Sequence, residues 1–312
     1  MTPRDHCLHF LSQITRLTLP FVICVAVSVA NGDDAGGGRH ESKSPTDQGI
    51  REESLIYKTI PTVEIDTEVE LRIDVTKPAG WKAMDQRPGI VFFHGGGWVG
   101  GKPGQFAEHS QRFAELGCVC FRVQYRLLDK SNRLPPDTCI EDASDAFRYV
   151  RKSADQFGVD PERLAAGGGS AGGHLASFLG MMDDEPVDGI SRKPSALLLF
   201  NPVYDNGPDG WGTKRVGDQY QQYSPRHNLS ADDPPAIVFL GTNDALIPVS
   251  TAEAFRDESR DLGLISELHL YDGRTHGFFN YKAGRDSQDH RDTMAKSIDF
   301  LKRIRWLPFD DA

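Results

Sequence analysis

The chain contains no apolar run long enough to span a bilayer comfortably. Its most apolar stretch, Leu17 to Ala30, has 14 residues, against the roughly 20 that a spanning helix needs. It also lacks an excess of base. Lys and Arg together number 35 against 45 Asp and Glu, for a formal net charge of −10, so electrostatics give it no reason to seek nucleic acid or an anionic membrane. No His/Cys spacing suited to a metal, no phosphate-binding loop, no internal repeat and no basic run appears, and neither metal nor cofactor is expected. Cysteine is scarce. Of five, Cys7 and Cys24 lie in the N-terminal segment, and the remaining three are too few and odd in number for a disulfide framework. Cys118 and Cys120 stand two apart on a strand, sharing a face but poorly placed to bridge each other. A bridge from Cys139 to one of them stays open in an oxidising compartment.

What is present begins with an export pattern. Arg4 and Arg16 precede the apolar run, and Ser28-Val29-Ala30 supplies small residues where a signal peptidase cuts, so residues 1–30 are expected to be a signal peptide cleaved after Ala30. The mature protein is then secreted or periplasmic and keeps no membrane span; an uncleaved anchor is the alternative. Residues 31–54, rich in Gly, Asp and Ser with Gly36-Gly37-Gly38, read as a disordered linker. One folded domain over residues 55–312 is expected to follow, long enough for a sizeable single core.

Within that domain, apolar and polar residues alternate from Thr62 to Val75 as in an antiparallel hairpin. Gly89 to Phe93 is a continuous apolar run, the pattern of a strand buried on both faces. Helical spacing follows from Phe106 to Leu116, a strand from Cys118 to Val123, and a long helix from Asp137 to Phe157 ending at Gly158. Val159-Asp160-Pro161 turns into a short strand, and the rest alternates: strand Ala196–Phe200, irregular chain to Asp233, strand Ala236–Leu240, helix Val249–Leu262, strand Ser266–Tyr271 and a helix from Asp289 to Trp306. Strands alternating with long helices predict an α/β fold with a mostly parallel central sheet, helices on both faces and the N-terminal hairpin as its antiparallel edge.

The motif at the centre is Gly168-Gly169-Ser170-Ala171-Gly172, a G-x-S-x-G turn between strand and helix. Such a turn lifts a serine oxygen clear of the sheet edge, with glycines where strand and helix backbones crowd. The pattern is short, so its surroundings carry the inference. His94-Gly95-Gly96-Gly97-Trp98, Asp244 and His276 also fall after predicted strands, on the edge where open α/β sheets place their sites. Ser170, Asp244 and His276 arrive in the chain order of a serine hydrolase of this fold. Ser170 is the candidate nucleophile, His276 its base, and Asp244 the group that orients the imidazole. The N–H groups of Gly96, Gly97 and Ala171 are candidates for holding the oxyanion. Asp272 and Asp205 are rival acids and His174 a rival base. Trp98, Trp211 and Tyr220 are candidate linings of a substrate cleft, with packing the equal alternative. Asn228-Leu229-Ser230 is a glycosylation sequon whose meaning depends on the host.

These four motifs, read as His94-Gly95-Gly96-Gly97-Trp98, Gly168 to Ala176, Gly241-Thr242-Asn243-Asp244-Ala245-Leu246-Ile247-Pro248 and Thr275-His276-Gly277-Phe278, resemble the α/β-hydrolase esterases of the hormone-sensitive-lipase-like group. The likeness covers about residues 60 to 305 and is closest to the compact carbohydrate-esterase branch of acetylxylan and feruloyl esterases. It implies a serine carboxylesterase with an α/β-hydrolase fold and no cofactor. The larger lipase-like members carry Asp before the serine where this chain has Gly169, which points to the compact branch. An ester substrate is expected, with acetyl groups on polysaccharide or oligosaccharide first in line, because no apolar cap precedes the hairpin. A small-molecule short-chain esterase or lipase, with residues 206–233 as a lid, an amide hydrolase of the formamidase or peptidase kind, and a non-catalytic binding protein on the same fold are the alternatives.

Overall fold

The computed structural model describes residues 49–62 and 67–308; the expected signal peptide and most of the expected linker lie outside them. Eight strands form one sheet: β1 (Arg51–Pro61), β2 (Glu68–Lys77), β3 (Arg87–Phe93), β4 (Val119–Val123), β5 (Val159–Gly169), β6 (Leu197–Phe200), β7 (Ala236–Gly241) and β8 (Ser266–Tyr271). Their order across the sheet is β1-β2-β4-β3-β5-β6-β7-β8. β1 and β2 pair antiparallel, as do β2 and β4, and every other pairing is parallel. The helices are α1 (Ala107–Glu115), α2 (Asp137–Lys152), α3 (Ala154–Phe157), α4 (Ala171–Met181), α5 (Thr213–Val216), α6 (Val249–Asp261) and α7 (Gln288–Arg303). Among the described residues, no helix is long and apolar enough to cross a membrane.

The sheet separates two cores. On one side Ile140, Phe147, Phe157, Leu175 and Phe255, from α2, α3, α4 and α6, pack against Val91, Phe121 and Leu199. On the other, Phe113, Met294, Phe300 and Leu301, from α1 and α7, pack against Ile90, Phe92, Ile237 and Phe239. Alternate residues of one strand thus feed opposite cores, which is why β3, β6 and β7 read as unbroken apolar runs. α4 lies at the centre, and all eleven of its residues are buried.

Several expectations change in detail. The sheet begins at Arg51, four residues before Leu55. Arg51–Ser54 pair with Lys77–Asp74, and Lys77–Glu53 and Arg122–Glu52 ion pairs fasten them at 2.6 and 3.1 Å. β1 is an edge strand exposed at most positions, so its beginning carries no apolar signal. Val63 and Ile65, expected in the hairpin, lie outside the described residues. The strand before Ser170 is long, not short. Its Pro161 is accommodated by an irregularity: Arg87 pairs with Val159, and the next partner of β3 is Leu164, leaving the intervening residues off the ladder. The helix expected from Asp137 to Phe157 is two pieces, α2 and α3, broken at Ser153.

All three described cysteines are buried and free. A Cys139 bridge is ruled out by position, since Cys139 packs in one core and Cys118 and Cys120 in the other. The Cys139 thiol instead donates to the Arg126 carbonyl at 3.1 Å.

Gly169 has a packing reason of its own. A Cβ there would lie 2.5 Å from Cζ of Phe279, whose ring is fully buried. Gly169→Ala is therefore expected to lower stability by about 1–3 kcal/mol through overpacking, and Phe279→Leu in the same chain to recover part of that loss. Urea unfolding of the single and double variants measures it; strictly additive losses would rule out the contact as the cause.

Candidate active site

β5 ends and α4 begins at Ser170, which holds φ 55° and ψ −119°, a conformation that non-glycine residues adopt only under constraint. The constraint is visible in its bonds. Ser170 N–H donates to the Phe200 carbonyl at 3.0 Å, and its own carbonyl accepts from His174 and Val203 at 3.0 and 3.1 Å. Glycine is required around it because backbones touch. A Cβ on Gly172 would lie 2.0 Å from the Phe93 carbonyl oxygen, and one on Gly168 2.3 Å from Gly172. The peptide N–H of Ala171 begins α4, so the positive end of that helix faces the serine side chain.

His276 and Asp244 come from the two neighbouring strand ends. The loops after β7 and β8 are knit by main-chain bonds: Thr242 N–H to the Tyr271 carbonyl and Asn243 N–H to the Arg274 carbonyl, both 2.9 Å. That stitching places Asp244 Oδ2 2.7 Å from His276 Nδ1. The Asp244 side chain is fully buried and that of His276 a quarter exposed. Burial raises the cost of the Asp244 charge, but the bonds from His276 and from the amides of Leu246 and Ile247 outweigh it and hold the carboxyl below its usual value. The rival acids are engaged elsewhere. Asp272 accepts from Thr242 Oγ1 at 3.2 Å, and buried Asp205 accepts from Arg226 at 2.7 Å and from the Gly207 amide at 2.8 Å.

The glycine loop after β3 lies against the serine. A Cβ on Gly95 would come 3.3 Å from the Ser170 Cβ. Gly96 and Gly97 have φ of 125° and 63°, and a side chain on Gly96 would run into the Gly100 carbonyl at 2.3 Å. Trp98 does not line a cleft as one reading had it. It is fully buried, with its ring 5.1 Å from His174 and 5.3 Å from Trp211, and so anchors the loop from behind. Trp211 is half-buried, and a Cβ on Gly97 would lie 3.4 Å from its Cη2. Tyr220 packs edge-on against His227, with ring centroids 4.9 Å apart.

Three residues that sequence reasoning passed over join these parts. Gln105 Oε1 accepts from the Gly95 amide at 2.6 Å, while its Nε2 donates to Asn280 Oδ1 at 2.9 Å. Asn280 Nδ2 donates to the Gly277 carbonyl, and the Gly277 amide donates to Asn201 Oδ1, at 2.8 and 2.9 Å. Among the hydrogen bonds of the described residues, His276 Nε2 faces Asn201 Nδ2 at 3.4 Å and not Ser170 Oγ. In free enzymes such catalytic bonds are commonly long and tighten with substrate. Asn201 sits at the end of β6 with φ 36°, and an Asn closing a strand at this sheet edge was the one signal available. Gln105 and Asn280 offered none.

Residues 73–196 match the BD-FAE family and residues 219–305 the dienelactone hydrolase family. The apo form of Thermogutta terrifontis esterase 2 has a TM-score of 0.74 to this chain at 35% identity, covering 87% of this chain and 100% of its own. Propionate-bound and butyrate-bound structures of the same esterase match with TM-scores of 0.74 and 0.73. The probable carboxylic ester hydrolase LipM of Mycobacterium tuberculosis is 31% identical over 198 residues, 56% of this chain and 45% of its own. The acetylxylan esterase of Xylanibacter ruminicola is 29% identical over 178 residues, 52% of this chain and 35% of its own. The chain spans about half the length of the curated relatives it matches.

The other histidines near the site are structural. His174 is fully buried with Nε2 2.8 Å from the Tyr223 carbonyl, and burial lowers its pKa to about 4. His94 stacks on Tyr125 and orders the glycine loop, and His109 meets His290 edge-on between α1 and α7. Burial lowers the pKa of each of these three as well. The folded state then binds fewer protons than the unfolded one below the ordinary histidine value of 6.5. Stability is whole above that value and falls as pH drops toward the folded pKa values, by up to about 1.4 kcal/mol per pH unit for each histidine. A thermal midpoint measurably lower at pH 5 than at pH 7.5 is expected; equal midpoints would contradict the buried neutral state.

Proposed function

We propose, from the premise that the chain belongs to the α/β-hydrolase esterases, that it is an exported serine carboxylesterase that removes acetyl substituents from carbohydrates. The observation that carries the chemistry is the 2.7 Å bond between Asp244 Oδ2 and His276 Nδ1, at the same sheet edge as a serine held in a strained turn. Ser170 Oγ attacks the ester carbonyl while His276 Nε2 takes its proton. Asp244 fixes the tautomer and stabilises the imidazolium. The N–H groups of Gly96, Gly97 and Ala171 hold the negative oxygen of the tetrahedral intermediate, where one donor is worth about 100- to 1000-fold in rate. The imidazolium returns the proton to the leaving alcohol, and a water activated by the same base hydrolyses the acyl-enzyme.

The carbohydrate part is supported by the match to an acetylxylan esterase and by the N-terminal export pattern. A second reading, a small-molecule esterase that hydrolyses short-chain acyl esters, is favoured by the resemblance to an esterase solved with propionate and with butyrate. Acetate release from acetylated xylan, measured beside hydrolysis of p-nitrophenyl acetate and butyrate and of an aminoacyl anilide, separates these from amide hydrolysis. Failure on every ester would sink the esterase reading.

Ser170→Ala and His276→Ala are each expected to lower kcat by about 10⁴-fold or more, and the double variant by no more than the worse single, because the groups act as a unit. A double variant markedly slower than either single would show independent action. Asn201→Ala removes the acceptor of the Gly277 amide and the neighbour of His276 Nε2. It should reduce kcat about tenfold with little change in KM; a change confined to KM would instead place Asn201 in substrate binding.

A further inference from the structure

A cavity of about 550 Å³ opens beside the glycine loop, lined among others by Lys130, Arg133, Trp211, Lys214 and Arg215. No Asp or Glu lines it among the described residues, although acids outnumber bases 45 to 35 over the whole chain. Lys130, Arg133 and Lys214 pair with no carboxylate among the described residues and are exposed. Arg215 differs: its Nη1 donates to the carbonyls of Asn132 and Leu134 at 3.4 and 3.1 Å, tying the two lips of the cavity together.

Trp211 is the wall that this cavity shares with the catalytic loop. A Cβ on Gly97 would lie 3.4 Å from its Cη2, and in the same loop one on Gly95 would lie 3.3 Å from the Ser170 Cβ. Positive charge without acidic partners, an indole face and the oxyanion loop therefore adjoin one another. An anionic polymer approaching a chain of net charge −10 is repelled at long range. A local cluster of free cations is what reverses that repulsion at the point of contact.

We propose that this cavity is a subsite for a carboxylate carried by the substrate, and that the preferred esters are acetyl groups on acidic carbohydrates containing uronate units. The inference rests on the carboxylesterase reading above. An acetyl group has no room for a second charge, so the carboxylate belongs to the alcohol part, a sugar next to the acetylated one. Arg133 presents the planar fork that matches a carboxylate, Lys130 and Lys214 add point charges, and the indole of Trp211 receives an apolar sugar face.

The test compares acetate release from an acetylated oligogalacturonate with release from the same oligosaccharide after its carboxylates have been converted to neutral amides. The wild type is expected to show kcat/KM at least about tenfold higher on the free acid, a preference that shrinks when NaCl rises from about 50 to 500 mM. In the Arg133→Gln/Lys214→Gln double variant the ratio should fall below about threefold, mainly through KM. A wild-type ratio near one, or a ratio unchanged in the double variant, overturns the subsite and leaves the esterase standing. Release from neither oligosaccharide overturns the subsite together with the carbohydrate reading, and p-nitrophenyl acetate reports whether the ester chemistry survives.

Discussion

The site depends on one steric fact: three pieces of backbone meet where no Cβ fits. Gly172 lies so close to the Phe93 carbonyl that a methyl group would be 2.0 Å from its oxygen, one on Gly168 would be 2.3 Å from the Gly172 carbonyl, and a Cβ on Gly173 would strike Pro202 at 2.7 Å. The contacts lock the start of α4 against the end of β3 and against the chain leaving β6. Ser170 is left with φ 55° because the strand must enter, and the helix leave, within a single residue. The strain is held by a neighbourhood that has no other way to pack. Since the glycine loop continues directly from β3, the same contact that forces the serine outward also carries Gly95 to Gly97 to its side.

The opposite half of the site is held by hydrogen bonds instead of sterics. Main-chain bonds between the β7 and β8 loops bring Asp244 to His276, and a run of neutral amides, Gln105, Asn280 and Asn201, connects the glycine loop to the histidine loop. Neutral linkers suit this place. They fix geometry without adding a charge that would compete with Asp244 for control of the imidazole, and each buried donor or acceptor they satisfy would otherwise be costly. Among the described residues, the carboxylate bonded to the His276 imidazole is that of Asp244, whose charge is kept by His276 and two amides against the cost of burial.

Much of this could be read from the chain before its coordinates. The apolar runs of β3, β6 and β7 follow directly from burial on both faces, and of the residues singled out by their chain order, Asp244 and His276 lie 2.7 Å apart. What could not be read is instructive. β1 begins among charged residues because an edge strand needs only its backbone to pair, and Pro161 sits inside a strand because the ladder skips it. Trp98 invited a cleft reading, yet the buried space behind the loop is what it fills. Gln105 and Asn280 are 175 positions apart, and no local pattern marks residues whose partners are set only by the tertiary fold.

Gly169 shows the same limit from the other direction. Its place before the serine reads in the sequence as a mark of one branch of a family. In the structure it is half of a pair with Phe279, three residues beyond His276, whose ring occupies the volume that a side chain at 169 would need. That ring stacks on Phe200 at 4.9 Å and on Phe106 at 5.9 Å, linking the histidine loop to the end of β6 and to the turn before α1. A side chain before the serine and a large aromatic after the histidine are thus alternatives for one space. Choosing the aromatic ties the loop that carries His276 into the core on which α1 and α7 pack, so the small residue beside Ser170 contributes to where His276 stands.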